Sequence, residues 1–429
     1  MATGLPLGKT AVLISSITDH RGTDWRGEGH YEIRNGGTLN TAEDKSLGGT
    51  YSGIDVGGLF WSVQPPGGTA YLDGLKDTPD LPLSPVPNGL EPLRYDLTLA
   101  VDGETIGTET VVRPQLAEGV HSSTALPGDL RGIFFTPRQS AIGAVLVLGG
   151  SEGGITAGRA AALAAEGYAA LALGYFDYED RPKAAIDLPI EYFGDAAQFL
   201  KQQTGHDAVI WGGSRGSEAA MLTAVHCPQH VAGVIAWVPS HLVNPGFDMA
   251  GGEDFSASTT AMWTYAGAPI EGVPSAPMTD AIRTARARGY ARVSGYAYSP
   301  EFEQAWAAVG PDSRFAIPVE EIAKPLCIIS AEEDALWPSA LSGKRLCARR
   351  KAAGLADQTT MVSLAKCGHA IGMPNMPRPF SHTSYWSAGY SGVEAGFIAQ
   401  GGTPVTNAAA AREGWGAALS FIDSVFESV

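Results

Sequence analysis

The chain has 429 residues, of which 29 are lysine or arginine and 45 are aspartate or glutamate, so its formal net charge is -16. A chain this acidic is not expected to bind nucleic acid or an anionic membrane surface. No apolar run reaches the roughly 18 residues of a membrane-spanning helix, and the N-terminus lacks the pattern of a signal peptide. Hydrophobic residues make up 44% and charged residues 17%, which is typical of a globular protein of two or three domains. Four cysteines without CxxC spacing favour a reduced, cytoplasmic protein with neither a disulfide framework nor a zinc site: Cys227, Cys327, Cys347 and Cys367.

The first 125 or so residues show the pattern of an all-β domain. TAVLISSI at residues 10–17 and GLFWSVQ at residues 58–64 are short strand-like runs between turn-forming residues. Apolar and polar residues alternate over residues 94–101, which indicates a strand with one buried face. Asp102-Gly103 predicts a hairpin turn because glycine tolerates positive φ, and residues 106–112 form the return strand. Short strands with frequent turns predict a β-sandwich over residues 1–125.

From residue 126 to residue 429 the pattern changes to an α/β alternation. Apolar runs that end in glycine or polar residues alternate with helical segments such as IEYFGDAAQFLKQQ; the runs are AVLVLGG, YAALALGYF, HDAVIWGGS, VAGVIAWVPS, PLCIISAEED and TTMVSLAKCGH. Strands that are apolar throughout predict a doubly wound, mostly parallel sheet covered on both faces. Residues 245–315 interrupt this alternation and are rich in Gly, Pro, Ser and Thr. We expect them to form a lid-like insertion over a binding site.

The most informative segment is Gly212-Gly213-Ser214-Arg215-Gly216, a GxSxG pentapeptide between an apolar strand and a helix. A nucleophilic serine on such a strained strand-to-helix turn needs flanking glycines to make room for the backbone. The N-terminus of the following helix directs free N–H groups at a developing oxyanion. The pattern predicts Ser214 as a nucleophile.

A serine nucleophile needs a base, and the base needs an orienting carboxylate, in the chain order Ser, acid, His. His369 follows the late strand TTMVSL in a short loop, so we predict it as the base. The acid is expected after the strand PLCIIS, where Glu332, Glu333 and Asp334 follow one another. Asp334 lies farthest beyond the strand and has the shorter side chain; Glu333 is the alternative.

Two backbone N–H groups are expected to form an oxyanion hole. One belongs to Arg215, the residue after the nucleophile. The other is expected from the glycine-rich loop after the first parallel strand, where we select Ser151. The same glycines are not expected to form a phosphate-binding loop, because the chain lacks both the GK[ST] ending and a full GxGxxG frame there.

Several separate motifs, in the same order, resemble the acyl-CoA thioesterase / bile acid-CoA:amino acid N-acyltransferase family over nearly the whole chain. They are LGGTYSGID at 47–55, GLFWSV at 58–63, EGYAALALGYFDYEDRPK at 166–183, GGSRGSE at 212–218, EEDALWPS at 332–339 and GGTPVTNAAAAREGW at 401–415. The resemblance implies an α/β-hydrolase preceded by an immunoglobulin-like sandwich domain. It also implies that a tryptophan follows the catalytic aspartate by three residues, so Trp337 selects Asp334 over Glu333. The serine nucleophile matches the thioesterase branch, since the family's amide-forming members use cysteine.

The resemblance implies a serine hydrolase that cleaves small-molecule acyl-CoA thioesters, with coenzyme A as part of the substrate and no other cofactor or metal. Because coenzyme A carries phosphates, Arg181 and Lys183 are candidate substrate-binding residues, as are Arg215 and the basic cluster at residues 344–351. That cluster is alternatively a solvated helix face. An ester or lactone hydrolase or an acyltransferase using the same triad is the main alternative, and a non-catalytic acyl-binding protein is a distant one.

Overall fold

A computed structural model of the chain describes residues 1–33, 36–76, 78, 81–87, 89–248, 260–274, 295–386 and 396–427. It divides into two compact units. Unit 1 comprises Met1–Gln115, Ala370–His382 and Thr403–Arg412, and unit 2 comprises Leu116–His369, Thr383–Gly402 and Glu413–Val429. In the described part of the chain, no helix is both long and apolar enough to span a bilayer.

Unit 1 is built on a four-stranded antiparallel sheet in the order β2-β1-β3-β4. Its strands are β1 (Thr10–Thr18), β2 (Asp24–Glu32), β3 (Leu93–Val101) and β4 (Glu104–Arg113). The predicted hairpin between β3 and β4 is confirmed: Asp102 and Gly103 have φ values of 52° and 83°, as a two-residue turn with both residues left-handed requires. The sequence predicts a two-sheet sandwich; within the described residues of this unit there is one regular sheet, whose β2 edge is extended by isolated bridges at Arg26–Gln64 and Gly29–Gly49.

The prediction of a strand at GLFWSVQ is wrong, because Gly58–Trp61 form a single helical turn, α1. The cause is Asp55, whose carboxylate accepts hydrogen bonds from the Gly57 backbone N–H and from the Trp61 indole N–H, both at 2.9 Å. These two hydrogen bonds stabilise a helical turn in a segment that the apolar pattern predicts to be an extended strand. Leu59 and Trp61 then enter the core of unit 1 beside Tyr31 and Val101.

Unit 2 contains an eight-stranded sheet in the order β5-β6-β8-β7-β10-β11-β14-β15. The strands are β5 (His121–Ser123), β6 (Arg131–Thr136), β7 (Ala144–Leu148), β8 (Ala169–Gly174), β10 (Ala208–Gly213), β11 (Val231–Trp237), β14 (Leu326–Ala331) and β15 (Thr359–Leu364). The pairs from β8 to β15 are parallel, and β5 and β6 pair antiparallel at one edge. Numbered along the chain from β5 as 1 to β15 as 8, the spatial order is 1-2-4-3-5-6-7-8 with strand 2 antiparallel. This is the α/β-hydrolase arrangement, as predicted. β5 lies ahead of the boundary that the sequence predicts at residue 125, yet it belongs to this sheet.

Helices cover both faces of the unit 2 sheet. They are α2 (Ala157–Ala165), α3 (Ile190–Thr204), α4 (Arg215–His226), α6 (Ser339–Ala352) and α7 (Pro404–Glu427), of which residues 413–427 belong to unit 2. All residues of β7, β8 and β14 are buried, since a parallel sheet covered on both faces has no solvent-facing side. Their apolar side chains, with those of α3 and α4, form the main core.

The predicted insertion at 245–315 contains regular elements in its described part. These are β12 (Trp263–Tyr265), β13 (Ala268–Pro269) and α5 (Ser299–Val309). β12 pairs in parallel with β9 (Leu188–Pro189), just before α3. Beyond the insertion, β16 (Thr383–Trp386) and β17 (Gly396–Ala399) pair antiparallel. Residues 249–259 and 275–294 of the insertion lie outside the described residues, so its function as a lid stays a prediction.

Candidate active site

Ser214 lies between the buried strand β10 and helix α4, with φ 52° and ψ -120°. A non-glycine residue with positive φ is held there only when the surrounding structure enforces it. The Ser214 N–H donates to the Trp237 carbonyl at the end of β11 (2.9 Å), and the Ser214 carbonyl accepts the N–H and hydroxyl of Ser217 (2.9 and 2.6 Å). The backbone of this serine is therefore fixed on both sides.

The glycines that flank Ser214 are required by close backbone packing. A Cβ atom at Gly212 would lie 1.9 Å from the Gly216 carbonyl oxygen, and one at Gly216 would lie 2.2 Å from the Gly149 carbonyl oxygen. Gly213, in contrast, would meet only the end of the Arg159 side chain, at 3.9 Å. The first and last glycines of the pentapeptide thus allow the turn and the contact between α4 and the loop after β7.

The structure brings the three predicted catalytic side chains together in one line of hydrogen bonds. His369 Nε2 lies 3.0 Å from Ser214 Oγ, and His369 Nδ1 lies 2.9 Å from Asp334 Oδ2. The side chains of Asp334 and His369 are only 1% and 9% exposed. Since an ionised carboxylate only accepts hydrogen bonds, His369 Nδ1 carries the proton in this contact and Nε2 is left to accept one from the serine hydroxyl.

Asp334, and not Glu333, reaches the imidazole because the loop after β14 turns between them. Glu332 and Glu333 are exposed, whereas Asp334 is buried. The second oxygen of Asp334 accepts the backbone N–H groups of Leu336 and Trp337 at 3.1 and 3.2 Å. Trp337 also stands edge-on to the His369 ring, with ring centroids 5.6 Å apart. Both oxygens of the Asp334 carboxylate therefore accept hydrogen bonds. Trp337, by which the family resemblance selects Asp334, packs on the His369 ring.

The loop that carries His369 is hydrogen-bonded to Gln400, the residue that follows β17. The His369 N–H donates to the Gln400 carbonyl at 2.6 Å, and the same carbonyl accepts the Ala335 N–H at 3.3 Å. Two residues earlier, burial and the nearby Asp334 charge raise the pKa of the Cys367 thiol to about 12. A thiol with that pKa is neutral and unreactive, so Cys367 does not compete with Ser214 as a nucleophile.

The two segments predicted to supply oxyanion donors meet at Ser214. Arg215 is the first residue of α4, where helix geometry offers its N–H no intrahelical acceptor. The loop Gly149-Gly150-Ser151 lies against the elbow: a Cβ atom at Gly150 would be 3.0 Å from Ser214 Cβ. The Gly150 N–H donates to the Glu152 carboxylate at 3.0 Å. The roles of the Ser151 and Arg215 N–H groups as oxyanion donors stay predictions.

Arg181 and Lys183, the two basic residues predicted to bind coenzyme A, contact other side chains of the protein. The guanidinium of Arg181 stacks over the Tyr192 ring at 4.9 Å, and Lys183 forms an ion pair with Asp177 at 2.9 Å. Among the residues described, neither side chain bonds to Ser214, His369 or Asp334. The role of both in substrate binding stays a prediction.

The cluster at residues 344–351 is neither an open phosphate site nor a fully solvated face. Arg350 is completely buried and donates to four backbone carbonyls and to the Thr359 hydroxyl. Arg349 pairs with Glu320, and Arg345 donates to the ring of His241. Lys344 and Lys351 are exposed. Three of the five cations therefore support the fold of α6 and its surroundings.

Three residues near the site were missed by sequence reasoning: Tyr175, Glu218 and Trp263. All are buried. Tyr175 bonds to the loop after β7, Glu218 bonds to Arg215 of the elbow, and Trp263 bonds to Glu218. One signal was present in the sequence, because Glu218 is a charged residue in the otherwise apolar helix SEAAMLTAV. Among the residues that the structure describes, no three His, Cys, Asp or Glu side chains are placed to share a metal ion.

The chain is similar to known proteins over both of its predicted domains. The family described as "BAAT / Acyl-CoA thioester hydrolase C terminal" matches residues 188–427, more than half of the chain, and "Acyl-CoA thioester hydrolase/BAAT N-terminal region" matches residues 1–124. Human acyl-coenzyme A thioesterase 1 is 26% identical over 87% of this chain and 82% of its own length. Mouse acyl-coenzyme A thioesterase 6 is 25% identical over 96% of this chain and 89% of its own. Human bile acid-CoA:amino acid N-acyltransferase is 31% identical over 54% of this chain and 56% of its own. The chain therefore belongs to the BAAT / acyl-CoA thioester hydrolase family.

Proposed function

We propose that this protein is a serine hydrolase that cleaves acyl-CoA thioesters through an acyl-serine intermediate. The observation that carries the proposal is the 3.0 Å contact between Ser214 Oγ and His369 Nε2 on a glycine-flanked elbow. A serine hydroxyl is a weak nucleophile until an adjacent base accepts its proton. The thioester substrate follows from the family, in which the long matches are to acyl-coenzyme A thioesterases.

In the first half of the reaction His369 Nε2 takes the proton of Ser214 Oγ as the oxygen attacks the thioester carbonyl. Asp334 Oδ2, bonded to Nδ1, fixes the ring and stabilises the imidazolium that forms. The backbone N–H groups of Arg215 and Ser151 stabilise the tetrahedral oxyanion. Collapse of the intermediate breaks the carbon–sulfur bond, and the imidazolium gives its proton to the departing sulfur. In the second half water repeats these steps on the acyl-serine and releases the free acid.

Water is the acceptor that the site favours over an amino acid. An amine acceptor with a carboxylate needs a free cation near the nucleophile, and among the described residues Arg215, directly after Ser214, is the candidate that the sequence suggests. Its guanidinium is 7% exposed, donates to Glu218, and also donates to the carbonyls of Asn244 and Pro245. A side chain committed in this way is not available to an incoming carboxylate. The serine nucleophile supports the same conclusion, since the resemblance assigns cysteine to the amide-forming members.

The test is incubation of the purified protein with acyl-CoA substrates of several chain lengths, with and without millimolar glycine or taurine. We expect free thiol and free acid in equal amounts and little conjugate, measured by a thiol reagent and by mass spectrometry. A dominant amide or ester product would make the protein an acyltransferase, the function that the match to the human N-acyltransferase favours.

Two further outcomes would point to an ester or lactone hydrolase or to a protein without catalytic activity. Rapid cleavage of simple esters or lactones without cleavage of acyl-CoA would support an ester or lactone hydrolase on the same triad. Failure of the wild-type protein to react with a fluorophosphonate would support a non-catalytic acyl-binding protein. We also propose a cytoplasmic location and activity without added metal or cofactor; cell fractionation and assay after chelation and dialysis test these two points.

A further inference from the structure

A buried carboxylate stands behind the elbow and is not used by the proposed chemistry. Glu218 lies in the first turn of α4 and is completely buried. One of its oxygens accepts Arg215 Nη1 and Asn244 Nδ2, each at 2.9 Å. The other accepts the Asn244 N–H at 3.1 Å and the Trp263 indole N–H at 3.2 Å. Four donors therefore converge on one carboxylate.

These contacts fix the residue that supplies an oxyanion donor. Arg215 follows the nucleophile directly, and its side chain is held by Glu218 on one side and by the Asn244 and Pro245 carbonyls on the other. A long side chain held at its far end restrains the backbone from which it starts, and that backbone carries the Arg215 N–H. Glu218 thus acts on the oxyanion hole through Arg215 rather than by touching substrate.

A buried hydroxyl holds the second half of the oxyanion hole. Tyr175 Oη donates to the Gly149 carbonyl at 2.7 Å and approaches the Gly150 carbonyl at 3.3 Å. Burial raises the pKa of Tyr175 well above its ordinary value, so the hydroxyl stays protonated and remains a donor. The loop that it holds continues directly into Ser151, whose N–H is the other proposed oxyanion donor.

Trp263 joins the two supports. It lies on β12, in the insertion, and is completely buried. Its indole N–H donates to Glu218, and its ring packs on the Tyr175 ring with centroids 6.1 Å apart. One side chain from the insertion therefore contacts the carboxylate behind one oxyanion donor and the tyrosine behind the other.

We propose that Glu218, Trp263 and Tyr175 form a positioning network that sets the distance between the two oxyanion donors. The proposal deepens the proposed function, since it assigns to these residues the support of the same oxyanion hole. None of the three is a catalytic residue, because each acts through Arg215 or through the loop after β7. Through its buried residue Trp263, the insertion helps to position the two oxyanion donors.

The experiment uses three conservative substitutions in the full chain. Glu218→Gln leaves a single acceptor oxygen, so its amide must face two of the four N–H donors; Trp263→Phe removes only the indole donor and part of the ring; Tyr175→Phe removes only the hydroxyl. Donors displaced by about 1 Å can cost about 100-fold in rate. We expect kcat to fall about 100-fold for Glu218→Gln and about tenfold for each of the other two, with KM within about threefold of wild type.

A transition-state analogue separates positioning from simple stability. A trifluoromethyl ketone thioether of coenzyme A forms a hemiketal with a serine and needs the oxyanion hole, whereas the matching thioether without the ketone does not. We expect the variants to lose affinity for the ketone in parallel with kcat/KM and to keep their affinity for the simple thioether. Two controls lie elsewhere in unit 2: Tyr168→Phe, which removes a bond to Asp423, and Glu320→Gln, which removes the negative charge that pairs with Arg349. They are expected to change neither measurement.

The proposal is overturned if the three variants lower the melting temperature but keep kcat and ketone affinity within about threefold of wild type. If Glu218→Gln does not fold, the other two substitutions decide the question. Fluorophosphonate labelling needs the oxyanion hole but no thioester. A wild-type protein that is labelled yet releases no thiol from acyl-CoA refutes the proposed substrate, while the labelling rates of the variants still test the network.

Discussion

Replacing Gly216 with alanine is a direct test of how closely α4 must approach the loop after β7. The added Cβ would lie 2.2 Å from the Gly149 carbonyl oxygen and 3.1 Å from the Leu148 carbonyl oxygen. Real Cβ atoms almost never come closer than 3.0 Å to such an atom, so the shorter contact must lengthen by about 0.8 Å. Both obstructing atoms are backbone, and neither can rotate away as the end of a side chain would.

This displacement is expected to move both predicted oxyanion donors, the N–H groups of Ser151 and Arg215. Ser151 lies two residues after Gly149, and Arg215 directly precedes the substituted residue. Loss of one oxyanion donor typically lowers kcat by about 100- to 1,000-fold. We expect Gly216→Ala to lower kcat/KM for an acyl-CoA substrate by about 100-fold, with thiol release as the assay and circular dichroism as the check of folding.

Gly213→Ala is the matched control, since it lies beside the nucleophile and its Cβ would meet only the flexible end of Arg159 at 3.9 Å. It is expected to retain activity within about threefold of wild type. Equal losses at both positions, or full activity in Gly216→Ala, would refute the assignment of the loop after β7 to the oxyanion hole.

Three other predictions concern the triad and acid stability. Ser214→Ala should abolish fluorophosphonate labelling and leave only the residual rate of an intact oxyanion hole, about a thousandfold over water; retention of a tenth of wild-type turnover would mean another nucleophile. Asp334→Asn should lower kcat about 10,000-fold by favouring the wrong imidazole tautomer, while exposed Glu333→Gln should change it little; comparable losses would contradict the acid assignment. Burial, aided by two nearby arginines, lowers the pKa of His241 to about 3. Between pH 6.5 and pH 3 His241 therefore binds a proton in the unfolded chain but not in the folded one, so its contribution to the free energy of unfolding should fall with pH by at most about 1.4 kcal/mol per pH unit. Denaturant melts of His241→Asn should show a shallower decline in that window, and an unchanged slope would show that His241 is not the group responsible.

Ser214, His369 and Asp334, the three side chains that the structure joins by hydrogen bonds, could be selected from the sequence because their signals are local, and their catalytic roles stay predictions. An elbow needs glycines at fixed positions around Ser214, and an α/β-hydrolase places Asp334 and His369 directly after identifiable strands. The doubly wound, mostly parallel sheet could be predicted for the same reason, since strands that are apolar throughout are recognisable one at a time.

What the sequence did not reveal depends on contacts between distant segments. The apolar run GLFWSVQ has no period that separates a helical turn from a strand, and the Asp55 side chain decides the outcome. Arg350 looks like its charged neighbours in the sequence, yet it is buried among carbonyls. Arg215 looks like a free anchor for a substrate in the sequence, but in the structure Glu218 and Asn244 surround it.

The turn that carries Ser214 and the loop predicted to supply an oxyanion donor meet at one packing contact. The carbonyl of Gly149 touches α4 at Gly216, and the carbonyl of Gly216 in turn occupies the space that a side chain at Gly212 would need. The loop that offers the Ser151 N–H therefore rests on the same turn that strains Ser214. A substitution that widens this contact therefore displaces both Ser214 and the Ser151 N–H. It follows that the variants at this contact should lose thioester and ester hydrolysis in equal proportion, because both reactions pass through the same oxyanion, whereas a change confined to the acyl pocket would alter their ratio.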